Sequence, residues 1–155
     1  MEEPGRRISL LFDLFVVNQK VRRLLGIALE DAELRSDEYA VYSVLFEQAP
    51  LTASEMARRM GMPLTTVLDY VRAMDERGHL RRNRHPRDGR SQQLSLTMAG
   101  TAAHRRTNAY WEVMRVRLER GLSMPVRDVR RALHALDDAT TAALQATERE
   151  SAQAR

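Results

Sequence analysis

The chain contains no cysteine and only one lysine, Lys20, among 155 residues. The missing thiols remove disulfides, thiolate nucleophiles, cysteine redox sensing and cysteine-ligated zinc. The four histidines, His79, His85, His104 and His134, include no i,i+4 pair, so a histidine-based zinc site has no suitable spacing either. Gly-rich phosphate loops, a nucleophile beside a plausible base and an isolated carboxylate pair are also lacking. An enzyme working on a nucleic-acid scaffold would need one of these, so the expected activity is not enzymatic and implies no cofactor and no metal. Long apolar runs are absent. The stretch from Ile8 to Val17 is broken by Ser9 and Asp13 and is too short to span a bilayer. With acidic Glu2 and Glu3 near the start and no cleavable secretory pattern, a cytoplasmic location is expected.

What the chain does have is arginine, 24 of them. Nine lie between Arg58 and Arg90, against Asp69, Asp75, Glu76 and Asp88, a local excess of +5 in a chain whose formal net charge is +4. All of the surplus positive charge therefore sits in one short window. Such a concentration is the electrostatic footprint of nucleic-acid binding, because counterion release at phosphates supplies most non-specific affinity. A membrane-surface helix is the competing source of basic charge. Here the arginines cross a helix, a turn and a hairpin and not one polar face, so no membrane partner is expected.

Hydrophobic periodicity lays out the elements. Between Ile8 and Glu30, apolar residues at Ile8, Leu11, Phe12, Phe15, Val16, Leu24, Leu25 and Ala28 suit one long helix better than a strand. Ser36 is expected to cap a second helix, with Ala40, Val41, Val44 and Leu45 on its apolar side. Thr52-Ala53-Ser54-Glu55 reads as a capping box opening a short helix that buries Met56, Ala57 and Met60 and ends at Gly61. Pro63 then starts another helix, stopped by Gly78. On a projection of about 100° per residue, Leu64, Val67, Leu68, Val71 and Met74 fall on one side of it. Thr65, Thr66, Asp69, Tyr70 and Ala73 fall opposite. Two helices joined by a glycine turn, the second with a polar outer face, form a helix-turn-helix whose second member enters the major groove.

The next segment, Leu80 to Arg90, packs five arginines into eleven residues around Pro86-Arg87-Asp88-Gly89. Asp-Gly tolerates the positive φ of tight turns, and Leu94 and Leu96 alternate with Gln93 and Ser95 as in a half-buried strand. A hairpin is expected, with Arg84, Arg87 and Arg90 at its tip, relieved only by Asp88. A solvated basic loop is the plainer alternative, and the position after a helix pair favours a DNA-contacting wing. Thr97 is expected to cap a helix running to about Arg120, with Ala103, Thr107, Tyr110, Trp111, Met114 and Leu118 as apolar contacts. After Gly121, Ser123 would cap a last helix whose positions 122, 126, 129, 133 and 136 approximate a coiled-coil seam, and Ser151 to Arg155 would be frayed.

The order Asp75-Glu76-Arg77-Gly78-His79-Leu80, Pro86-Arg87-Asp88-Gly89-Arg90 and Leu96-Thr97-x-x-Gly100 resembles the MarR family of winged helix-turn-helix regulators (multiple antibiotic resistance regulators). The likeness extends to the flanking helices and so to nearly the whole chain. It implies a mainly α fold with a small β-hairpin wing, a winged helix-turn-helix over residues 36–100, and dimerisation helices over 1–35 and 101–155. It further implies a homodimer, a ligand-responsive repressor of a pseudo-palindromic double-stranded DNA operator. Thr65, Thr66, Asp69 and Tyr70 would then read base edges or adjacent phosphates. Arg90 would enter the minor groove with Asp88 bracing it through an ion pair, Arg84 and Arg87 would grip phosphates, and the helix start at Thr52 could hold another. Asp69 departs from the basic or amide residue common at its position. Either it accepts from cytosine N4 or it pairs locally with Arg72. Phe12, Tyr39, Tyr42, Trp111 and Met114 lie on elements that line the family's cleft for a small aromatic or lipophilic effector, although aromatic and Met residues at helical spacing are more often ordinary core. The apolar seams of the flanking helices call either for a second subunit or for a monomeric bundle. A protein-interaction module built on a winged helix is the alternative function.

Overall fold

A computed structural model describes residues 9–153. Eight elements follow in chain order: α1 (Leu10–Ala28), α2 (Ser36–Gln48), α3 (Ala53–Met60), α4 (Leu64–Glu76), β1 (Leu80–Arg84), β2 (Gln92–Leu96), α5 (Met98–Arg120) and α6 (Val126–Gln153). The fold is mainly α with a small hairpin wing, and residues up to Met114 form one compact unit.

The core of that unit gathers Leu34, Tyr42, Leu45, Met56, Val67, Met74, Leu94 and Ala103, drawn from α2, α3, α4, β2, α5 and the loop before α2. That loop is fastened to α5 by Leu34 N–H donating to Thr107 Oγ1 at 3.3 Å and by the Arg106–Glu33 pair at 2.6 Å. β1 and β2 pair antiparallel in the register Leu80↔Leu96 to Arg84↔Gln92. Leu51 adds an isolated bridge to Leu94, giving N–H at 3.1 Å and accepting at 2.7 Å, so a third short edge backs the wing. The sequence offers little sign of that edge, since Leu51 is one apolar residue before a helix cap.

Several local expectations hold. Ser9 caps α1. The capping box at α3 is complete, with Glu55 N–H to Thr52 Oγ1 at 3.2 Å and Thr52 N–H to Glu55 Oε2 at 2.7 Å. Those bonds to Thr52 hold the Glu55 carboxyl below its usual pKa. Gly61 closes α3 at φ 61° and Gly78 follows α4 at φ 70°, conformations that favour glycine.

Others need correction. Ser36 is the first residue of α2 and does not cap it. The carboxylate of Glu38 instead takes the Arg35 amide at 3.0 Å. Pro63 stands just outside α4, which begins at Leu64. Leu64 and Leu68 are each 43% exposed, because the buried stripe of α4 is the narrower set Val67, Val71 and Met74. α6 begins at Val126, not from a Ser123 cap, with Asp128 N–H bonded to the Pro125 carbonyl. Its helix still includes Ser151 to Gln153, where fraying was expected. Ile8, the expected start of the first helix, lies outside the described residues. α1 and α6 bury none of their own described residues, and Leu11, Phe12, Phe15 and Ile27 of α1 and Leu133 and Leu144 of α6 stand exposed.

Candidate nucleic-acid interface

Thr65, Asp69 and Arg72 share the outer arc of α4, all exposed, and Leu68 stands among them. Arg72 Nη1 lies 3.4 Å from Asp69 Oδ1, with both side chains about 70% exposed. The carboxylate is thus partnered by the cation one turn on, a weak surface pair that can be exchanged for other contacts. Thr66 is half-buried at the margin of the arc. Tyr70 leans further in and packs against the core. Burial pushes its phenol above the usual tyrosine pKa, assisted by the negative charges of Asp37 and Glu38. The rotation of the buried stripe toward Val67 and Met74 carries Tyr70 inward and turns Leu64 and Leu68 out.

The wing loop spans residues 85–91 and is longer than the tight turn that Asp-Gly suggests. Gly89 does not adopt a positive φ. A Cβ there would lie 3.0 Å from the guanidinium of Arg84, an exposed side chain that can move aside. His85 Nδ1 accepts the amides of Arg87 at 3.2 Å and Asp88 at 3.1 Å. Asp88 Oδ1 accepts the backbone N–H of Arg90 at 3.0 Å, and this bond, with Ser91, holds its carboxyl below the usual aspartate range. The expected ion pair between Asp88 and the Arg90 guanidinium is replaced by an Asx-type turn. Asp88 shapes the loop, and the Arg90 guanidinium forms no ion pair among the described residues.

The positive charge can now be located. Asp69 pairs with Arg72 and Asp75 with Arg82 at 3.1 Å, while Arg77 reaches Glu38 at 2.7 Å. Arg59 contacts Gln48. Arg81, Arg84, Arg87 and Arg90 form no ion pair among the described residues, and all four are exposed. Four unneutralised guanidinium groups on one hairpin, beside a helix with an exposed polar arc, suit a polyanion with grooves. Thr52, at the start of α3, is half-buried and its hydroxyl is engaged with Glu55.

The residues expected around an effector do not converge on one cavity. Tyr39 and Tyr42 are buried, Tyr39 stacking on His104 at 5.0 Å and against Trp111 at 4.8 Å. Phe12 is about half exposed on α1. Met114 lines a small apolar cavity of about 320 Å³ with Ala28, Ala109, Tyr110 and Val113. A larger cleft of about 1150 Å³ is bordered by charged side chains, among them Arg23, Arg35, Glu38 and Arg77, and by Tyr70. None of the five expected residues lines it.

The junction at the end of α4 was not visible from spacing, because its partners are far apart in sequence. Thr97 Oγ1 donates to the Gly78 carbonyl at 2.8 Å and accepts the Gly100 amide at 3.1 Å. The His79 carbonyl receives Thr97 N–H at 3.0 Å and lies 2.3 Å from where a Cβ on Gly100 would be. The Leu-Thr-x-x-Gly spacing therefore has a physical cause: the threonine ties α5 to the end of α4, and the glycine lets the backbone entering β1 press against α5.

Comparison with known proteins points to the same fold. The family described as sugar-specific transcriptional regulator TrmB matches residues 29–89, which span the helix-turn-helix and most of the wing. No curated protein matches the chain. Among solved structures, a probable transcriptional regulator from Pseudomonas aeruginosa is 26% identical, with 83% of this chain and 96% of that one covered and a TM-score of 0.69. The Mycobacterium tuberculosis transcriptional regulator MOSR, solved with DNA, is 21% identical over 87% of this chain and 98% of that one, at a TM-score of 0.74. Apo MarR from Escherichia coli is 21% identical over 86% and 98%, at 0.67. The chain has the winged helix-turn-helix fold of these solved structures.

Proposed function

We propose that the protein is a sequence-specific double-stranded DNA-binding transcriptional regulator that acts by binding and not by turnover. One observation carries this reading: four exposed arginines, free of ion pairs among the described residues, stand on the wing beside the polar arc of α4. Thr65, Thr66 and Asp69, with Tyr70 at the inner margin, face or border the major groove. Arg84 and Arg87 grip phosphates, and Arg90 reaches the minor groove from a loop that Asp88 shapes. The α3 start at Thr52 adds a backbone contact to phosphate. MOSR, of the same fold, was solved in complex with DNA.

The protein works as a homodimer on a pseudo-palindromic operator. The uncovered apolar faces of α1 and α6 support this, since exposed leucine and phenylalanine at such density call for cover. A two-fold dimer would set two α4 helices about 34 Å apart, one turn of DNA. Repression relieved by a small aromatic or lipophilic effector completes the reading, and the cavity at Met114, near the lower limit of small-molecule pockets, supports such a ligand. A mobility-shift assay on the DNA upstream of the protein's own gene, repeated with small aromatic compounds, tests the whole. A retarded, compound-sensitive complex is expected. Failure to retard any duplex at low salt, with tight capture of a protein partner instead, would replace it with a protein-interaction module.

A further inference from the structure

Three consecutive residues end the candidate recognition helix, and each is held by a side chain from elsewhere in the fold. Arg77 gives its guanidinium to Glu38 of α2 at 2.7 Å. The Gly78 carbonyl accepts from the Thr97 hydroxyl, at the start of α5, at 2.8 Å. His79 places Nδ1 2.9 Å from the hydroxyl of Tyr42, also of α2. The backbone is closed at the same point, with Gly78 N–H on the Asp75 carbonyl and His79 N–H on that of Met74, both at 2.9 Å. Tyr42 is 1% exposed; burial pushes its phenol above the usual tyrosine pKa, and the positive charge of Arg77 works against that push.

We propose that Tyr42, with Glu38 and Thr97, is a positioning residue for operator recognition: the Arg77-Gly78-His79 clasp fixes the direction in which α4 presents Thr65 and Asp69. This rests on the DNA-binding reading and adds to it residues that touch no DNA. Tyr42 is buried, so any effect it has on DNA passes through the pose of α4, whereas Glu38 also neutralises the partly exposed Arg77. Base-edge hydrogen bonds demand that pose, whereas phosphate contacts by flexible arginines accept a range of poses. When the clasp is loosened, only a fraction of molecules hold the reading pose, and specific affinity falls by that fraction. Non-specific affinity, set by charge, does not.

The test uses the full-length protein and a duplex selected by it from a randomised library, with a scrambled duplex of equal length and composition as reference. Tyr42→Phe removes one oxygen and keeps the ring. We expect the ratio of selected to scrambled affinity to fall about fivefold or more, with scrambled-duplex affinity and the salt dependence within twofold of the unmodified protein. Glu38→Gln, a milder change, lowers the ratio about threefold and serves if Tyr42→Phe folds poorly. An unchanged ratio in the folded variants overturns the proposal. So does a parallel loss on both duplexes, which is what a merely structural role would give. If the unmodified protein selects no duplex at all, the DNA-binding reading fails first and this inference with it.

Discussion

Gly100→Ala tests how closely the wing is built against α5. A Cβ on Gly100 would lie 2.3 Å from the His79 carbonyl oxygen and 3.1 Å from its carbon, where ordinary contact begins at 3.4 Å. The obstacle is backbone, so one of the two segments must move by roughly 1 Å, an overpacking cost of about 1–3 kcal/mol. That movement also strains the Thr97 N–H bond to His79 and the Gly100 N–H bond to Thr97, each worth about 1 kcal/mol. Better helix propensity returns at most about 1 kcal/mol. The net expectation is a loss of about 2–4 kcal/mol, or roughly 5–15 °C in Tm for a chain of this length. Urea and thermal unfolding followed by circular dichroism, at one fixed protein concentration, would measure it. Gly26→Ala in α1 is the control, since nothing lies within 4 Å of its Cβ. It should be neutral or slightly stabilising. A Gly100→Ala protein as stable as the Gly26→Ala control would refute the reasoning.

Asp88→Asn keeps an acceptor for the Arg90 amide, so it should retain duplex affinity within about twofold by titration, whereas Asp88→Ala should bind more weakly; equal weakening would restore the ion-pair account. Arg90→Ala should weaken duplex binding and relax any preference for narrow minor grooves while sedimentation of the free protein stays unchanged. Thr52→Ala should cost about 1 kcal/mol in urea unfolding through removal of the α3 cap. Burial holds His104 below the usual histidine pKa, so it is neutral in the folded chain where the unfolded chain would take a proton. Its contribution to stability is therefore complete above the unfolded pKa of about 6.5 and is lost as pH falls through the lower folded value. Unfolding midpoints should drop on acidification across that window, and His104→Leu should flatten the drop.

Local signals in the sequence carried the fold a long way. Gly61, Gly78, Thr52 and Thr97 announce helix ends because the residues that satisfy orphan backbone groups are near neighbours. The alternation at Leu94 and Leu96 announces a strand for the same reason. Legibility stops where the deciding partner is remote. Leu64 and Leu68 look inward on a helical wheel, yet the stripe that packs is set by what α2 and α3 bring to Val67 and Met74. Asp88 and Arg90 have opposite charges two residues apart, which suggests an ion pair, but the backbone amide is the nearer donor. The joining of Tyr42 to His79 and of Glu38 to Arg77 links positions 37 and 39 apart in sequence, with no repeating spacing to betray it. His104, ordinary in the sequence, is buried with Ser43 at its Nε2 and the rings of Tyr39 and Phe46 stacked on it.

The central claim is that the wing arginines grip double-stranded DNA. Its most direct measurement is the association constant for one duplex as a function of salt, for the unmodified protein and for Arg84→Ala/Arg87→Ala. Log K should fall linearly with log salt, and the double variant should flatten the slope by about one unit for each phosphate no longer neutralised, about four in a dimer with two wings. Affinity that is flat with salt, or a slope the double variant leaves unchanged, would contradict it.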